Sequence, residues 1–285
     1  MTSHQVAGLP EFGRCAVFAI LNATPDSFSD GGLNLAAAAA IGNGVAALRA
    51  GVDVLDVGGE STRPGAARVS VQEELRRVLP VVEGLVDAGG LVSVDTMRAE
   101  VVRQCARAGA RIVNDVSGGL ADPEMLRTVA DLQLPYILMH WRGHSVDMGS
   151  MASYGDVVRE VGAELTARLA AAVDAGIEPD RIVLDPGLGF AKNAEHDWAL
   201  LRGQRRLQRE LGRPLLIGHS RKRFLGALLA DDAGVPRPAA ERDAATLAVA
   251  AVAAERGAWA VRVHAGAAAA DAVRAVAAMG EGEAR

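Results

Sequence analysis

Residues 184–190 read Leu-Asp-Pro-Gly-Leu-Gly-Phe, and they follow a short, mainly apolar run at 181–184. A second stretch of this kind begins at Gly218, after the apolar run 215–217, and continues as His-Ser-Arg-Lys-Arg-Phe-Leu-Gly to residue 226. Each stretch predicts a buried strand that ends in a glycine-containing turn before a helix. One strand ends at the carboxylate of Asp185 and the next at a cluster of cations, which is typical of the rim of a binding site.

The cation cluster consists of Arg221, Lys222 and Arg223, at the position where a helix should begin. A helix N-terminus already carries partial positive charge, so three cations there are unfavourable unless another group offsets them. We therefore predict an electron-rich or anionic ligand beside this cluster, with a basic surface turn as the simpler alternative.

Outward from these two turns, the chain alternates apolar runs with helical patterns. The runs are rich in Val, Ile and Leu, as parallel strands buried on both faces should be. We predict eight strands, at 16–21, 52–57, 91–94, 112–113, 136–139, 181–184, 215–217 and 260–264, separated by helices. Two of the helices are expected at 71–88, where Pro80 predicts a break or kink, and at 195–211. The alternation favours an α/β fold, a (β/α)₈ TIM barrel, as a single domain over residues 1–285 with an ordered core at about 15–280. A doubly wound open sheet is the alternative.

The composition sets the class of protein. Half of the 285 residues are hydrophobic, which is enough for one large domain or two ordinary ones. The formal net charge of −5 gives no nucleic-acid footprint. No stretch predicts a membrane span or a signal peptide, and Cys15 and Cys105 lie in or beside apolar segments, as reduced core residues do. We expect a cytoplasmic protein with neither a nucleic-acid nor a membrane partner.

Polar side chains mark the predicted strand ends. They are Asn22, Glu60, Asp95, Asn114, His140, Asp185, Ser220 and His264. Singly, each could be a helix cap, a turn residue or a buried histidine, but all eight together indicate a site at the face where barrels carry their chemistry. Period-two alternation also places Arg262 on the same side of its strand as His264. Because an arginine in a core strand is costly unless it is paired, we expect a phosphate or carboxylate in the barrel mouth.

Eight segments carry a resemblance to a known family. They lie at 21–32, 56–65, 93–96, 113–119, 138–140, 185–190, 220–222 and 262–264, and include Asp-Val-Gly-Gly-Glu-Ser-Thr-Arg-Pro-Gly at 56–65 and Asn-Asp-Val-Ser-Gly-Gly at 114–119. Their residues and their order resemble those of dihydropteroate synthase, in a style similar to actinobacterial members. One such segment would be weak evidence, whereas eight in order over residues 21–264 are specific.

The resemblance implies a reaction and a set of residue roles. In that reaction 6-hydroxymethyl-7,8-dihydropterin diphosphate and p-aminobenzoate give 7,8-dihydropteroate and diphosphate, with Mg²⁺, in folate synthesis. The implied pterin-binding residues are Asp95, Asn114, Met139, Asp185, Phe190, Gly218 and Lys222. The implied diphosphate-binding residues are Asn22, Arg262 and His264, and Asn22 also holds the metal. The implied p-aminobenzoate-binding residues are Phe28, Thr62, Arg63, Pro64 and Lys222, and the implied catalytic residues are Asp95, Lys222, Asp30 and Arg63.

The sequence departs from the family pattern at three positions. Ala265 stands where an aspartate is usual, His219 where a small or apolar residue is more common, and Ala23 where a valine is usual. The missing carboxylate leaves open a catalytically weak pterin-binding paralogue. A methyltetrahydrofolate-dependent methyltransferase domain is a further alternative, against which the cation cluster and both long loops argue. Residues 244–254 are apolar nearly all round, so this helix is either deeply buried or part of an interface, and the family resemblance then implies a homodimer.

Overall fold

A computed structural model describes residues 5–23, 30–60, 69–143 and 151–280, with the side chains of 30–35 outside the description. Its sheet contains eight parallel strands: β1 (Ala16–Asn22), β2 (Val54–Gly58), β3 (Val92–Asp95), β4 (Ile112–Asp115), β5 (Tyr136–Met139), β6 (Ile182–Asp185), β7 (Leu216–Ile217) and β8 (Ala260–Val263). They are hydrogen-bonded in the order β6-β5-β4-β3-β2-β1-β8-β7. A parallel bridge between Leu184 and Leu215 joins the two edge strands and closes the barrel. The predicted (β/α)₈ barrel is therefore confirmed.

The helices between the strands form the outer layer. They are α1 (Asp30–Arg49), α2 (Val71–Asp87), α3 (Ala99–Arg107), α4 (Met125–Leu132), α5 (Val157–Asp174), α6 (Ala194–Arg202), α7 (Gln204–Leu211), α8 (Arg223–Leu228), α9 (Asp243–Glu255) and α10 (Gly266–Gly280). Short 3₁₀ turns at Pro179–Arg181 and Ala239–Glu241 precede β6 and α9. None of the described helices is long and apolar enough to cross a membrane.

The break predicted at Pro80 and the single helix predicted at 195–211 were wrong. α2 continues through Pro80, and its buried stripe on both sides of the proline, Val78, Val81, Val82 and Leu85, stabilises it by packing. The helix predicted at 195–211 is two helices, α6 and α7, which meet at Gly203. A Cβ on Gly203 would lie 2.9 Å from a methyl carbon of Val158, so close packing of α5 requires a residue with no side chain at this junction.

The lower half of the barrel interior is apolar. Inward-facing residues at the beginnings of the strands form a buried cluster that consists of Ala16, Phe18, Val54, Ile112, Ile137, Val183, Leu216 and Ala260. The N-terminal segment covers this end of the barrel, where Val6 and Leu9 join the cluster. Trp259 packs against both Phe12 and Phe18, with ring centroids 6.0 and 5.7 Å apart. The sequence did not predict this cover.

The upper half of the interior contains polar side chains, which face inward because residues two positions apart on a strand share a face. Two residues after Val54 comes Asp56, and in the same way Asn114 follows Ile112, Asp185 follows Val183 and Arg262 follows Ala260. The parallel register sets Asp56 beside Ser93 and Asp95 beside Asn114. The polar strand ends that the sequence suggested therefore converge at the carboxyl end of the barrel.

Candidate active site

On one side of the barrel mouth, Arg262 is held between two carboxylates. Its Nε donates to Asp56 Oδ2 and its Nη2 to Asp95 Oδ2, each at 2.5 Å. Asn114 Nδ2 donates to the same Asp56 oxygen at 3.1 Å. We expected a phosphate or carboxylate group to compensate Arg262, and the structure supplies two carboxylates from the chain itself. Asp56, to which we assigned no role from the sequence, is therefore part of this group.

Burial and charge set the protonation of this group in opposite directions. Burial raises the pKa of Asp95 to about 7, although Arg262 beside it lowers that pKa. Burial also disfavours the charged form of Arg262, but the carboxylates of Asp56 and Asp95 outweigh it and raise the pKa of the guanidinium. Arg262 is therefore a fixed cation, whereas Asp95 can exchange a proton near neutral pH.

Beneath this group, two buried polar atoms have no hydrogen-bond partner among the described residues. They are Asp56 Oδ1 and Ser93 Oγ, which lie on neighbouring strands at the same register. Both residues are fully buried. Buried polar atoms of this kind are normally satisfied by another group or by ordered water. They mark the floor of the polar half of the barrel.

On the opposite side of the mouth, Asp185 and Lys222 approach each other across Gly218. Asp185 Oδ1 accepts from the Gly187 N–H at 2.7 Å. A Cβ on Gly218 would lie 3.2 Å from Asp185 Oδ2 and 4.0 Å from Lys222 Nζ, so glycine leaves room between the two charges. Burial raises the pKa of Asp185, and the charge of Lys222 opposes that shift.

Lys222 immediately precedes α8 and extends toward the turn after β6. Its ammonium donates to the Leu188 carbonyl and lies 4.7 Å from the centroid of the Phe190 ring. Burial lowers the pKa of Lys222 to about 8, and the carboxylates of Asp185 and Asp197 oppose the change. Met139 ends β5 at the register of Asp185, and its side chain is buried. These residues form a compact edge of donors and acceptors beside apolar groups.

The remaining cations of the cluster do not face the mouth in the way that we expected. Arg221 pairs with Asp243 through Nε and Nη2, each at 2.7 Å, so an acid of α9 offsets this charge rather than a ligand. Arg221 also has φ of +57°, which turns the chain so that Lys222 alone enters the site. Arg223 is exposed. The prediction of a ligand beside three cations was therefore too broad. The charge argument for a ligand now applies to Lys222 alone.

Three other strand-end residues have structural partners. Ser220 Oγ lies 2.9 Å from His264 Nδ1 and accepts from the His264 backbone N–H at 3.1 Å, which joins β7 to β8. Glu60 is bound by Arg98 at 2.6 Å, and Arg98 also pairs with Glu74 and donates to the Val69 carbonyl. This network fixes residues 60 and 69 on the barrel.

His219 points away from the mouth toward the helix layer. It is fully buried, with Nε2 2.9 Å from the Thr246 carbonyl of α9. Burial lowers its pKa to about 4, so the ring is neutral and can donate one hydrogen bond to that carbonyl. This unusual residue is therefore explained by packing between β7 and α9.

The residues predicted on the two long loops lie mostly outside the described part of the chain. These are Phe28, Thr62, Arg63 and Pro64, and Asp30 begins α1 with its side chain outside the description. Asn22 ends β1 and is exposed at the barrel mouth. The structure thus brings together Asp95, Asn114, Met139, Asp185, Phe190, Gly218, Lys222 and Arg262, with Asn22 and His264 at neighbouring strand ends.

Comparisons with known proteins agree with this geometry. The model of the pterin-binding enzyme family matches residues 18–264. Dihydropteroate synthase of Mycobacterium leprae is 50% identical over 261 residues, which cover 91% of this chain and 92% of that protein. The chain belongs to the dihydropteroate synthase family.

Solved structures of this family share the barrel. Xanthomonas albilineans dihydropteroate synthase with 4-aminobenzoic acid is 41% identical, with a TM-score of 0.87 and complete coverage of both chains. The structure of the Xanthomonas albilineans enzyme in complex with 7,8-dihydropteroate has a TM-score of 0.81 and 41% identity over 95% of each chain. The family resemblance that the sequence suggested is confirmed.

Two features of this dihydropteroate synthase family member were not assigned a role from its sequence. Asp56 begins the segment at 56–65, and a carboxylate inside an apolar strand, two residues before the end of that strand, was the signal that could have identified it. Lys192 lay just after the turn at 184–190, and its position beside the pocket depends on contacts that no local pattern predicts.

Proposed function

We propose that this chain is a dihydropteroate synthase, which condenses 6-hydroxymethyl-7,8-dihydropterin diphosphate with p-aminobenzoate. The products are 7,8-dihydropteroate and diphosphate, and the pathway is folate synthesis. The observation that carries the proposal is the set of buried and half-buried groups at the carboxyl end of the barrel, in which Asp185 faces Lys222 beside Phe190 and Asp95 lies beside Asn114. Family membership supports the same activity.

The pterin is proposed to bind between the two charged sides of the mouth. A flat heterocycle with several donors and acceptors requires fixed polar partners and apolar faces. Asp185 and Asp95 supply acceptors, Lys222 and Asn114 supply donors, and Met139 and Phe190 supply apolar surface. Because Asp185 is buried and Asp95 is half-buried, an analogue that lacks one pterin donor would leave a polar group unsatisfied and would bind less tightly.

The chemistry is proposed to be a dissociative substitution. The bond between the pterin methylene carbon and the diphosphate oxygen breaks first, and diphosphate leaves with the electron pair. The amine nitrogen of p-aminobenzoate then forms the new bond to carbon, and the nitrogen loses a proton to solvent. The carboxylates at the barrel mouth, Asp95 above all, favour positive charge on the pterin by electrostatic stabilisation, so no nucleophilic side chain is required.

The diphosphate is proposed to bind at the ends of β1 and β8, beside Asn22, Arg262 and His264. The exposed carboxamide oxygen of Asn22 suits Mg²⁺, which takes hard oxygen ligands and usually keeps substrate phosphate oxygens among them. Bound Mg²⁺ would reduce the negative charge on the leaving group. Arg262 keeps a positive charge near this position because its pKa is raised.

p-Aminobenzoate is proposed to bind beside Lys222 and the loop residues Phe28, Thr62, Arg63 and Pro64, with Asp30 and Arg63 assisting the reaction.

The test is direct synthesis by the purified protein. Both substrates and Mg²⁺ are supplied, and 7,8-dihydropteroate is measured by liquid chromatography with mass detection. We expect product in proportion to protein concentration and only when both substrates are present, together with growth of a strain that lacks dihydropteroate synthase when it expresses this chain. Pterin binding without product would instead indicate a catalytically weak paralogue. Methyl transfer from methyltetrahydrofolate would indicate a methyltransferase.

The chain is also proposed to form a homodimer through the outer face of α9. Its inner face is buried through Thr246, Ala250, Ala253 and Ala254, whereas Val252 on the outer face is 46% exposed. The helix is apolar on both faces, which favours coverage of the outer one. Light scattering at micromolar concentration should give the mass of a dimer, and Val252→Asp should shift it toward the monomer. A monomeric mass for the unaltered protein would contradict the proposal.

A cytoplasmic location is the remaining proposal. Cys15 is half-buried and Cys105 is buried, both are free thiols, and burial raises the pKa of each to about 12, so both are weakly reactive. Cell fractionation of the native host should recover the protein with cytoplasmic markers. Recovery with membranes or in the culture medium would contradict this location.

A further inference from the structure

The sequence contains only two lysines, Lys192 and Lys222, beside 28 arginines. Both lysines donate to backbone carbonyls of the same turn, residues 187–190, after β6. Lys222 belongs to the proposed pterin pocket, whereas Lys192 has no place in the proposed chemistry. Because an ammonium group is compact and can donate three hydrogen bonds in different directions, it suits a site where several carbonyls converge.

Lys192 has one acceptor for each of its three hydrogens. Its Nζ lies 3.0 Å from the Gly187 carbonyl oxygen, 2.9 Å from the Phe190 carbonyl oxygen and 2.9 Å from His140 Nδ1. The first two contacts join both ends of the turn to one charge. The third contact joins the turn to the end of β5. Lys192 is therefore fully satisfied by the protein and leaves no donor for a ligand.

His140 is oriented so that it accepts from Lys192. Its Nε2 lies 2.9 Å from Glu164 Oε2, and burial lowers the pKa of His140 to about 4, so the ring is neutral. A neutral ring that donates from Nε2 to a carboxylate presents a lone pair at Nδ1. The hydrogen bond from His140 holds the pKa of Glu164 at about 2, which keeps that carboxylate charged. Glu164 in α5 thus accepts from His140 Nε2, which leaves His140 Nδ1 as the acceptor for Lys192.

The turn that Lys192 holds is conformationally costly. Gly187 and Gly189 have φ of +67° and +75°, and Ala191, directly before Lys192, has φ of +48°. A non-glycine residue in the left-handed region costs about 1–2 kcal/mol, so neighbouring interactions must maintain it. A Cβ on Gly187 would lie 2.4 Å from the His140 carbonyl oxygen, so the turn is pressed against the residue that accepts from Lys192. The strained backbone at Ala191 therefore lies directly beside the carbonyls that the Lys192 ammonium binds.

We propose that Lys192 is a positioning residue for the pterin pocket, whose ammonium, oriented by His140 and Glu164, holds the turn at 187–190 in its binding shape. The turn carries the Phe190 ring and directs the Leu188 carbonyl toward Lys222. Loss of Lys192 would remove the ammonium donor from the Phe190 carbonyl, would leave the Gly187 carbonyl with the Phe190 N–H at 3.1 Å, and would let the Phe190 ring move. This proposal rests on the proposed function, because it concerns the affinity of that pocket for pterin.

The first test compares Lys192→Met with Arg209→Met. Methionine keeps the length and the apolar stem of lysine but removes the charge and the three donors. Arg209 is an exposed cation of α7, so its replacement controls for the loss of a positive charge. We expect Lys192→Met to raise KM for the pterin diphosphate by about tenfold or more, with kcat and KM for p-aminobenzoate changed by less than about threefold. Arg209→Met should match the unaltered protein in all three constants.

A general structural role would produce a different pattern. If Lys192 only stabilised the fold, both KM values would stay near those of the unaltered protein while the folded fraction fell. Folded Lys192→Met with an unchanged KM for the pterin substrate would therefore overturn the proposal. If the unaltered protein made no product, the proposed function would fail first, and the ammonium contacts would still be tested by the second measurement.

The second measurement uses the unaltered protein and does not depend on a variant that folds. Lysine labelled with ¹⁵N at Nζ gives signals from only two side chains, and a Lys222→Met sample identifies the signal of Lys192. At about pH 5, where Lys192 is protonated, we expect its ammonium protons to exchange with water at least tenfold more slowly than those of free lysine, since all three are hydrogen-bonded. Burial also lowers the pKa of Lys192 to about 7, which the same sample reports as a titration. Exchange as fast as that of free lysine would show that the three contacts are absent and would overturn the proposal.

Discussion

The two ends of the barrel interior are built from the same eight strands, yet they differ in nearly every inward-facing side chain. At the amino end, Phe18 and Trp259 pack with aliphatic residues beneath the N-terminal segment. At the carboxyl end, two residues further along β2, β4 and β6, the apolar groups are replaced by Asp56, Asn114 and Asp185. The first end can gain stability only from burial, whereas the second contains charges whose desolvation must be offset.

Because of this difference, residues of one strand contribute to stability at its beginning and to ligand binding at its end. Val54 and Asp56 lie two residues apart on β2, but one packs in a fully apolar cluster and the other binds Arg262. A substitution at the amino end should therefore change the free energy of unfolding and leave ligand affinity alone. A substitution at the carboxyl end should change affinity, and it should change stability only where a buried charge loses its partner.

Phe18→Ala should give the largest effect on stability. Phe18 is fully buried against Trp259, and truncation of such a side chain leaves a cavity. We expect a loss of about 3–5 kcal/mol in the free energy of unfolding, with pterin affinity of the folded fraction unchanged. Urea unfolding measures the loss, and Leu228→Ala, at a residue 61% exposed, is the control with an expected change within about 0.5 kcal/mol. A loss of less than 1 kcal/mol for Phe18→Ala would show that this end is loosely packed.

Arg262→Met should destabilise the carboxyl end by about 3 kcal/mol, because it leaves Asp56 and Asp95 without their cation. The loss should depend on pH. Burial raises the pKa of Asp95 to about 7 in the folded protein, so its favourable contribution is complete below about pH 4 and is lost as the pH rises through 7.

Without Arg262 that pKa rises further, and the charged carboxylate has no partner. The deficit of Arg262→Met relative to the unaltered protein should therefore be larger at pH 8 than at pH 5. Unfolding in urea at both pH values measures it. A deficit that is equal at the two values would contradict the pairing of Asp95 with Arg262.

Lys222→Ala should weaken pterin binding by about 2–4 kcal/mol, because Asp185 and the Leu188 carbonyl, which belong to buried residues, lose the ammonium partner. Arg223→Ala, at the exposed neighbouring cation, is the matched control and should leave the affinity unchanged. Calorimetric titration with the pterin diphosphate measures both variants. Equal losses from the two variants would mean that only the overall charge of the cluster matters.

Ala265→Asp should have the smallest effect on activity. Ala265 precedes α10, and its carbonyl accepts from the Ala269 N–H, which makes it the N-cap residue of that helix. An aspartate there would cap the helix and add about 0.5–1 kcal/mol of stability, while turnover should change by less than about tenfold. Thermal unfolding and steady-state kinetics test the two parts separately. A gain of several orders of magnitude in turnover would identify the chain as a decayed paralogue.

The barrel could be predicted from the sequence because strands and alternation are visible in short stretches of the chain. Parallel strands buried on both faces are continuous apolar runs, and Arg262 and His264 could be assigned to one side of β8 from alternation alone. The Gly203 break between α6 and α7 and the continuity of α2 through Pro80 were not predicted, since both depend on packing against other helices.

The partners within the site could not be predicted in the same way. Arg262 pairs with Asp56, which is 206 residues away along the chain, so no local pattern relates them. The pairing of Arg221 with Asp243 similarly becomes visible only when α9 is placed beside the turn after β7. Sequence reasoning named the strand ends that converge, but it assigned to a ligand some charges that the chain neutralises itself.

The most direct test compares the pterin affinity of two variants, one altered at each end of the barrel. The pterin diphosphate is titrated calorimetrically into the unaltered protein, Asp185→Asn and Phe18→Leu, at a temperature where all three are folded. We predict that Asp185→Asn weakens binding by about 2–4 kcal/mol, or roughly 30- to 700-fold in Kd, while Phe18→Leu stays within about twofold. Unchanged affinity in Asp185→Asn, or an equal loss in both variants, would contradict a pterin site at the carboxyl end of the barrel.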